Sequence, residues 1–250
     1  MIVLITGATA GFGETMARKY IKEGHRVIAT ARRQDRLDAL RNELGSDRIY
    51  TLKLDVRSRE DVTRAIESLP PEWSEIDILV NNAGLAAGVD GAQTANLDDW
   101  DAMVDTNIKG LLYMTRAVLP GMVTRDRGHI VNLGSTAGSY AYAGGSVYGA
   151  SKAFVRQFSL ALRSDLHGTR VRATDIEPGL VGGTEFSTVR FSGDADKAAK
   201  MYENADPLTP DDIAETVYWV TSLPARVNVN AIEVMPVSQA FARLAVHRWK

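Results

Sequence analysis

The 250-residue chain contains no cysteine. Disulfides, thiolate nucleophiles and cysteine-ligated metals are therefore excluded, and a reducing compartment fits the composition. Histidine is scarce: His25, His129, His167 and His247 lie far apart, with no HExxH and no close pair. That spacing argues against a zinc enzyme. An excess of charge of one sign is missing as well, since 29 Lys+Arg face 31 Asp+Glu. A net charge of −2 carries no electrostatic footprint for nucleic acid. No apolar run approaches the roughly 18 residues of a membrane span. Met1–Ile5 is apolar at once, with no basic stretch before it, so no signal peptide is expected and the cytoplasm is the expected location.

What is present is 45% hydrophobic and 24% charged, a globular composition with enough length to bury a core without staples. Short β-branched runs alternate with segments of helical period. Strands are predicted at Ile2–Thr6, Arg26–Ala31, Ile49–Asp55, Ile76–Asn81, Ile130–Gly134, Arg170–Ile176 and Ala231–Met235. The intervening helices are Gly11–Glu23, Asp35–Leu44, Ser58–Leu69, Leu97–Met122 and Tyr148–His167. A further helix opens at Thr209-Pro210, which reads as an N-cap followed by proline at the first helical position. Such alternation predicts one α/β domain over residues 1–250, a doubly wound, seven-stranded parallel sheet with helices on both faces. One long irregular stretch, Gly179–Pro207, interrupts it, and a loop of that length is expected to serve function.

Thr6-Gly7-Ala8-Thr9-Ala10-Gly11-Phe12-Gly13 joins the first strand to the first helix. Glycines at 7 and 11 suit a tight turn, Gly13 allows helix and strand to approach, and the helix N-terminus offers free N–H groups to a pyrophosphate. The spacing is GxxxGxG, without a Walker lysine. A bare βα turn is the alternative. Sites for NAD place an acid at the end of the second strand, but here Arg32 and Arg33 stand there. Guanidinium forks match a 2′-phosphate, which predicts NADP(H); a solvated basic helix start is the alternative. Asp55-Val56, ending the third strand, reads either as a contact to the adenine amine or as an N-cap or turn. Asn82-Ala83-Gly84, after Asn81, reads as cofactor contact or as a plain turn.

Tyr148 and Lys152 lie four residues apart, hence on one face of a helix. A free phenol titrates near about 10, and a nearby ammonium and a nicotinamide cation both favour phenolate; three units of lowering correspond to roughly 4 kcal/mol. Ser135, after the fifth strand, is placed to donate to a reacting oxygen. Ser151 is a competing nucleophile, but neither serine sits in the G-x-S-x-G elbow of hydrolases.

Together the TGxxxGxG of Thr6–Gly13, the NNAG of Asn81–Gly84, Asn107, Ser135, Tyr148 and Lys152 resemble the short-chain dehydrogenase/reductase family over essentially the whole chain. Gly7–Glu14, Ser135–Leu160 and Ile176–Phe191 further resemble its bacterial NADP-dependent 3-hydroxy acid dehydrogenases. That resemblance implies a Rossmann fold and hydride transfer between NADP(H) and serine, allo-threonine, 3-hydroxyisobutyrate or malonic semialdehyde/3-hydroxypropionate. It implies Tyr148 as acid and base, with Lys152 binding the nicotinamide ribose and lowering the phenol pKa. Ser135 would orient the substrate carbonyl and Asn107 would hold a relay water.

The cofactor would also touch Pro178, Gly179, Leu180, Val181, Gly182, Gly183, Thr184 and Glu185. The loop would cover the substrate as a lid. Two positions depart from the family's pattern: Phe12 replaces an aliphatic residue, and Gly183 displaces Thr184 by one. Arg190, with Thr188, is the candidate for a substrate carboxylate, a solvent-exposed arginine being the alternative. Tyr142, Val181 and Phe186 are candidates for an apolar wall. The family implies a homotetramer built on the Leu97–Met122 and Tyr148–His167 helices, with the tail Ser238–Lys250 adding to it. Other readings of the same residues are a 3-oxoacyl carrier-protein or general carbonyl reductase, and a non-catalytic NADP-sensing regulator.

Overall fold

The computed structural model describes residues 1–191 and 193–241. Seven strands form a single parallel sheet: β1 (Ile2–Thr6), β2 (Arg26–Ala31), β3 (Ile49–Lys53), β4 (Ile78–Asn81), β5 (Gly128–Leu133), β6 (Val171–Pro178) and β7 (Ala231–Val234). Their order is β3-β2-β1-β4-β5-β6-β7, every pair parallel. The chain winds outward in one direction from β1 and in the other from β4. A crevice therefore opens at the carboxyl ends of β1 and β4, where a doubly wound sheet binds its ligand.

Ten helices connect the strands among the described residues: α1 (Gly11–Lys22), α2 (Gln34–Leu44), α3 (Arg59–Glu67), α4 (Pro71–Ser74), α5 (Leu97–Val104), α6 (Leu111–Thr124), α7 (Ser146–Asp165), α8 (Phe186–Arg190), α9 (Ala195–Lys200) and α10 (Pro210–Ser222). Because side chains alternate along a strand, neighbouring residues of β1 enter different cores. Val3 and Ile5 pack with Met16, Tyr20 and Val217, under α1 and α10; Leu4 packs with Met114, Met122 and Leu162, under α6 and α7. Burial on both faces is why these strands read as continuous apolar runs.

Local chemistry sets the helix starts. Ser58 accepts a hydrogen bond from the Asp61 N–H at 3.2 Å, and Thr209 with Asp212 forms a reciprocal capping box ahead of Pro210. The Pro70-Pro71 stop is also a start, since Pro71 opens the short α4. The segment expected as one helix from Leu97 is continuous, but it is divided by a π-helical turn over Asp105–Gly110. Gly179–Pro207 is less irregular than expected: it holds α8 and α9, and its ends meet in a parallel bridge between Val181 and Leu208. Residues 242–250 of the tail lie outside the described residues. Among the described residues no helix is long and apolar enough to cross a membrane, and no cluster of His, Asp and Glu is arranged to hold a metal ion.

Candidate active site

The turn after β1 is shaped by its glycines. Gly7 (φ 68°) and Gly11 (φ 49°) occupy the left-handed region, and a Cβ at Gly13 would stand 2.3 Å from the Gly7 carbonyl oxygen. Ala10 is the N-cap of α1 and contributes no side-chain cap, so the first N–H groups of the helix stay open toward the turn. The loop after β4 braces this turn. The Asn82 amide donates to the carbonyls of Thr6 (2.8 Å) and Gly7 (3.3 Å), and the backbone N–H groups of Asn82 and Ala83 donate to Thr6 Oγ1. Asn82 is thus committed to the turn, leaving the exposed Gly84 facing the crevice. Phe12, in the first turn of α1, packs against the core.

At the end of β2, Arg33 donates to Glu185 Oε2 at 3.0 Å and to the Thr9 carbonyl at 3.3 Å. Arg36, which sequence reasoning missed, stands one turn along α2. It donates to Glu185 Oε1 at 2.8 Å and to the same carbonyl at 3.4 Å. Its signal was its spacing, three residues after Arg33 on one helix face. The two guanidinium groups hold the Glu185 carboxyl below the usual carboxylate range. This pair therefore already grips an anion, and no acid stands at the end of β2 to oppose one. Arg32 is exposed beside them. The residues present fit a dinucleotide with a phosphate on its adenosine ribose.

Asp55 makes an Asx turn with Arg57, accepting from its N–H at 3.1 Å and from its Nη2 at 2.6 Å. Val56 is buried against Gly110, where a Cβ would lie 2.6 Å from the valine Cγ2. The hydrogen bonds at Asp55 are those of the turn reading.

The reactive groups converge from three elements. Ser135 follows β5 with its Oγ accepting from the Ala137 N–H at 3.1 Å and donating to the Pro178 carbonyl at 3.4 Å. Tyr148 and Lys152 occupy the first turns of α7, the ammonium 5.8 Å from the phenol ring centre. Lys152 is buried and donates to the Leu133 carbonyl at 2.7 Å. Burial pushes its amine down to about 8. Burial also pushes the Tyr148 phenol up to about 12, while Ser135 and the Arg190 guanidinium pull the other way. In the protein by itself, desolvation outweighs the lowering that Lys152 was expected to produce.

Asn107 lies in the π-helical turn, the kind of local insertion found at functional sites. Its side chain exchanges two hydrogen bonds of 2.9 Å with the Leu85 backbone and donates to Ser151 Oγ at 3.0 Å. Ser151 in turn donates to the Tyr148 carbonyl at 2.7 Å, so it braces the start of α7 and is no free nucleophile. Sequence periodicity predicted a regular helix here, because one inserted residue leaves the apolar spacing nearly intact.

The loop after β6 closes over these groups. Thr184 lies against Gly11, 3.2 Å from a Cβ placed there, despite the extra Gly183, which takes φ 70°. Gly179 donates to the Val234 carbonyl and Leu180 to Gln239 Oε1, anchoring the loop's root on the sheet edge. Phe186 meets Tyr148 edge-on, with centroids 5.7 Å apart, and Val181 is buried in the core beneath. The Arg190 guanidinium sits 5.2 Å over the Tyr142 ring, and its Nε is buried with no hydrogen-bond partner among the described residues. Thr188 is partly buried on the same short helix.

A phosphate-binding turn at a topological switch point, beside a serine, a tyrosine and a lysine, defines a dinucleotide-dependent oxidoreductase. The short chain dehydrogenase family profile matches residues 1–194, and the chain belongs to that family. It is 65% identical over 248 residues to the NADP-dependent 3-hydroxy acid dehydrogenase YdfG of Escherichia coli K12, covering 99% of this chain and 100% of that protein. It is 50% identical over 246 residues to the serine 3-dehydrogenase of Agrobacterium fabrum, covering 98% of each. Among solved structures, the closed form of a serine dehydrogenase complexed with NADP+ superposes with a TM-score of 0.98 at 65% identity, over 100% of both chains.

Proposed function

We propose that this chain is an NADP-dependent dehydrogenase of short 3-hydroxy acids, interconverting serine, allo-threonine, 3-hydroxyisobutyrate or 3-hydroxypropionate with the corresponding semialdehydes. The observation that carries this reading is Arg190. Its Nε, buried and without a partner among the described residues, lies on the loop that closes over Tyr148, where a substrate carboxylate would satisfy it. The names of the similar proteins support the same substrate class.

NADP(H), when bound, gives or takes the hydride. The open N–H groups at the start of α1 would hold its pyrophosphate, and Arg32, Arg33 and Arg36 would hold the 2′-phosphate. Residues Pro178–Glu185, with Asp55-Val56 and Asn82–Gly84, border the remainder. Tyr148 gives its proton to the carbonyl oxygen in reduction and takes it from the hydroxyl in oxidation. Lys152 stabilises the phenolate by its charge. Ser135 turns its hydroxyl from the long bond to Pro178 onto the substrate oxygen. Asn107 fixes Leu85 and, through Ser151, the first turn of α7. Tyr142 and Phe186 exclude water around the reacting carbon.

A homotetramer and a cytoplasmic location belong to the same proposal. The α7 face carries the stacked Phe154 and Phe158 and the exposed Leu160, and α5 begins at the exposed Leu97, apolar surface suited to a second copy.

The test mixes purified protein and NADP+ with serine, 3-hydroxyisobutyrate and 3-hydroxybutyryl thioesters, following the absorbance of reduced nicotinamide. Turnover of the free acids supports the proposal. Thioesters as the sole substrates would make the chain a carrier-type reductase, and no turnover at all would make it a binding protein. Arg190→Ala is expected to raise KM for hydroxy acids roughly tenfold or more, with reduction of neutral aldehydes unchanged. An unchanged KM for the acids would remove Arg190 from the substrate site.

A further inference from the structure

Strand β6 carries two acids on the face covered by α7, Asp175 and Glu177, exposed by only 1% and 2%. Opposite them α7 presents the buried Lys152 and, one turn on, Arg156, whose Nε lies 3.5 Å from Glu177 Oε1. Neither oxygen of Asp175 has a hydrogen-bond partner among the described residues. A buried carboxylate without a partner is costly, and nothing in the hydride-transfer scheme above uses one.

The acid lies directly behind the catalytic groups. A Cβ at Gly134 would stand 2.5 Å from Asp175 Oδ1, and the residue before it, Leu133, supplies the carbonyl that receives Lys152 Nζ. Two further titratable groups face the pair: Glu233 of β7, in register with Glu177, and Tyr140, whose hydroxyl donates to Glu233 Oε1 at 3.3 Å. As carboxylates, Asp175 and Glu177 only accept hydrogen bonds, so the two satisfy each other only through a proton. Burial and Glu177 push the Asp175 carboxyl up to about 8, against the pull of Lys152 and Arg156. Asp175 in turn resists the burial that pulls the Lys152 amine down. The two groups change charge over one pH range and act on each other there.

We propose that Asp175 is a positioning residue for the hydride-transfer reaction: a buried counter-charge that keeps Lys152 an ammonium when the site works above neutral pH. This rests on the assignment of Tyr148 and Lys152 as the proton-transfer pair. Below neutral pH Asp175 retains its proton, and Lys152 is charged without help. As the pH rises Asp175 releases that proton to solvent, and the carboxylate formed beneath α7 holds the proton on Lys152.

Asp175→Asn keeps the shape and never ionises. Its pH profile of kcat/KM for hydroxy-acid oxidation is expected to follow the wild type below neutrality and to fall away above it. The alkaline limb should move down by about one pH unit, or roughly tenfold in rate at a fixed alkaline pH, with NADP+ affinity unchanged. Superimposable profiles, or a drop of equal size at every pH, would overturn the proposal. If the variant does not fold, infrared spectroscopy of the wild type decides alone. A band from a protonated, buried carboxyl should be present at neutral pH, vanish in alkali, and persist to higher pH in Lys152→Met. Absence of the band, or the same titration in both proteins, overturns it. This arm needs no turnover, so it separates failure of the counter-charge from failure of the enzymatic reading.

Discussion

Tyr148→Phe is expected to lower kcat for hydroxy-acid oxidation roughly 10²–10⁴-fold and to leave NADP binding nearly unchanged. The substitution removes one oxygen. The ring, its edge-on contact with Phe186 and its place over Lys152 remain, so the protein around it has no reason to rearrange. The oxygen it removes is the one toward which the site is built. Arg190 and Lys152 bring positive charge near, and burial favours its protonated form until cations offset the desolvation. That balance suits a group that must release and regain a proton in each cycle. The expected effect falls on kcat because the proton moves only in the transition state. Steady-state kinetics and a titration of NADP binding read the two parts separately. Turnover at the wild-type level would remove Tyr148 from the chemistry.

The second large effect concerns the cofactor's adenosine end. Replacing Arg33 and Arg36 together with Ala is expected to weaken NADP+ binding by roughly a hundredfold while changing NAD+ binding little. Two guanidinium groups can make charge-assisted, forked bonds to a phosphate, and Glu185 shows that the pair accepts an anion in this geometry. Removing Arg32 as well should deepen the loss. Glu185→Gln is the control: it deletes the resident anion and keeps the arginines, so the preference for NADP+ should persist. Binding titrations with the two cofactors read the ratio directly. Equal losses for both would show that these arginines stabilise the loop and do not read the 2′-phosphate.

Much of this was legible before any coordinates. The alternation of strand and helix, the glycine spacing at residues 7–13 and the Tyr148–Lys152 spacing are local patterns, and the structure places each where the pattern requires. The helix starts at Ser58 and Thr209 followed from side chains that satisfy open N–H groups within three residues. Three features were not legible. The π-helical turn around Asn107 is local, but its one inserted residue leaves the apolar spacing nearly intact; the pairing of Arg36 with Glu185 and the burial of Asp175 behind Lys152 join segments far apart in the chain. Asp55 is the intermediate case. Its spacing allowed both a turn and a ligand contact, and its bonds to Arg57 form the turn while leaving the contact open.

The sequence by itself determined the fold class and the glycine turn after β1, and it singled out Tyr148 and Lys152 as candidates for proton transfer, because hydrophobic period, glycine conformation and i,i+4 spacing act within a few residues. Tertiary structure alone decided which groups share a dielectric environment. Only in the fold does Arg190 sit over the Tyr142 ring, and only there do two acids of β6 lie beneath Lys152. Charge, burial and proton affinity depend on distances through space, and residues such as Asp175 and Lys152 acquire those distances only when the sheet and its helices close on one another.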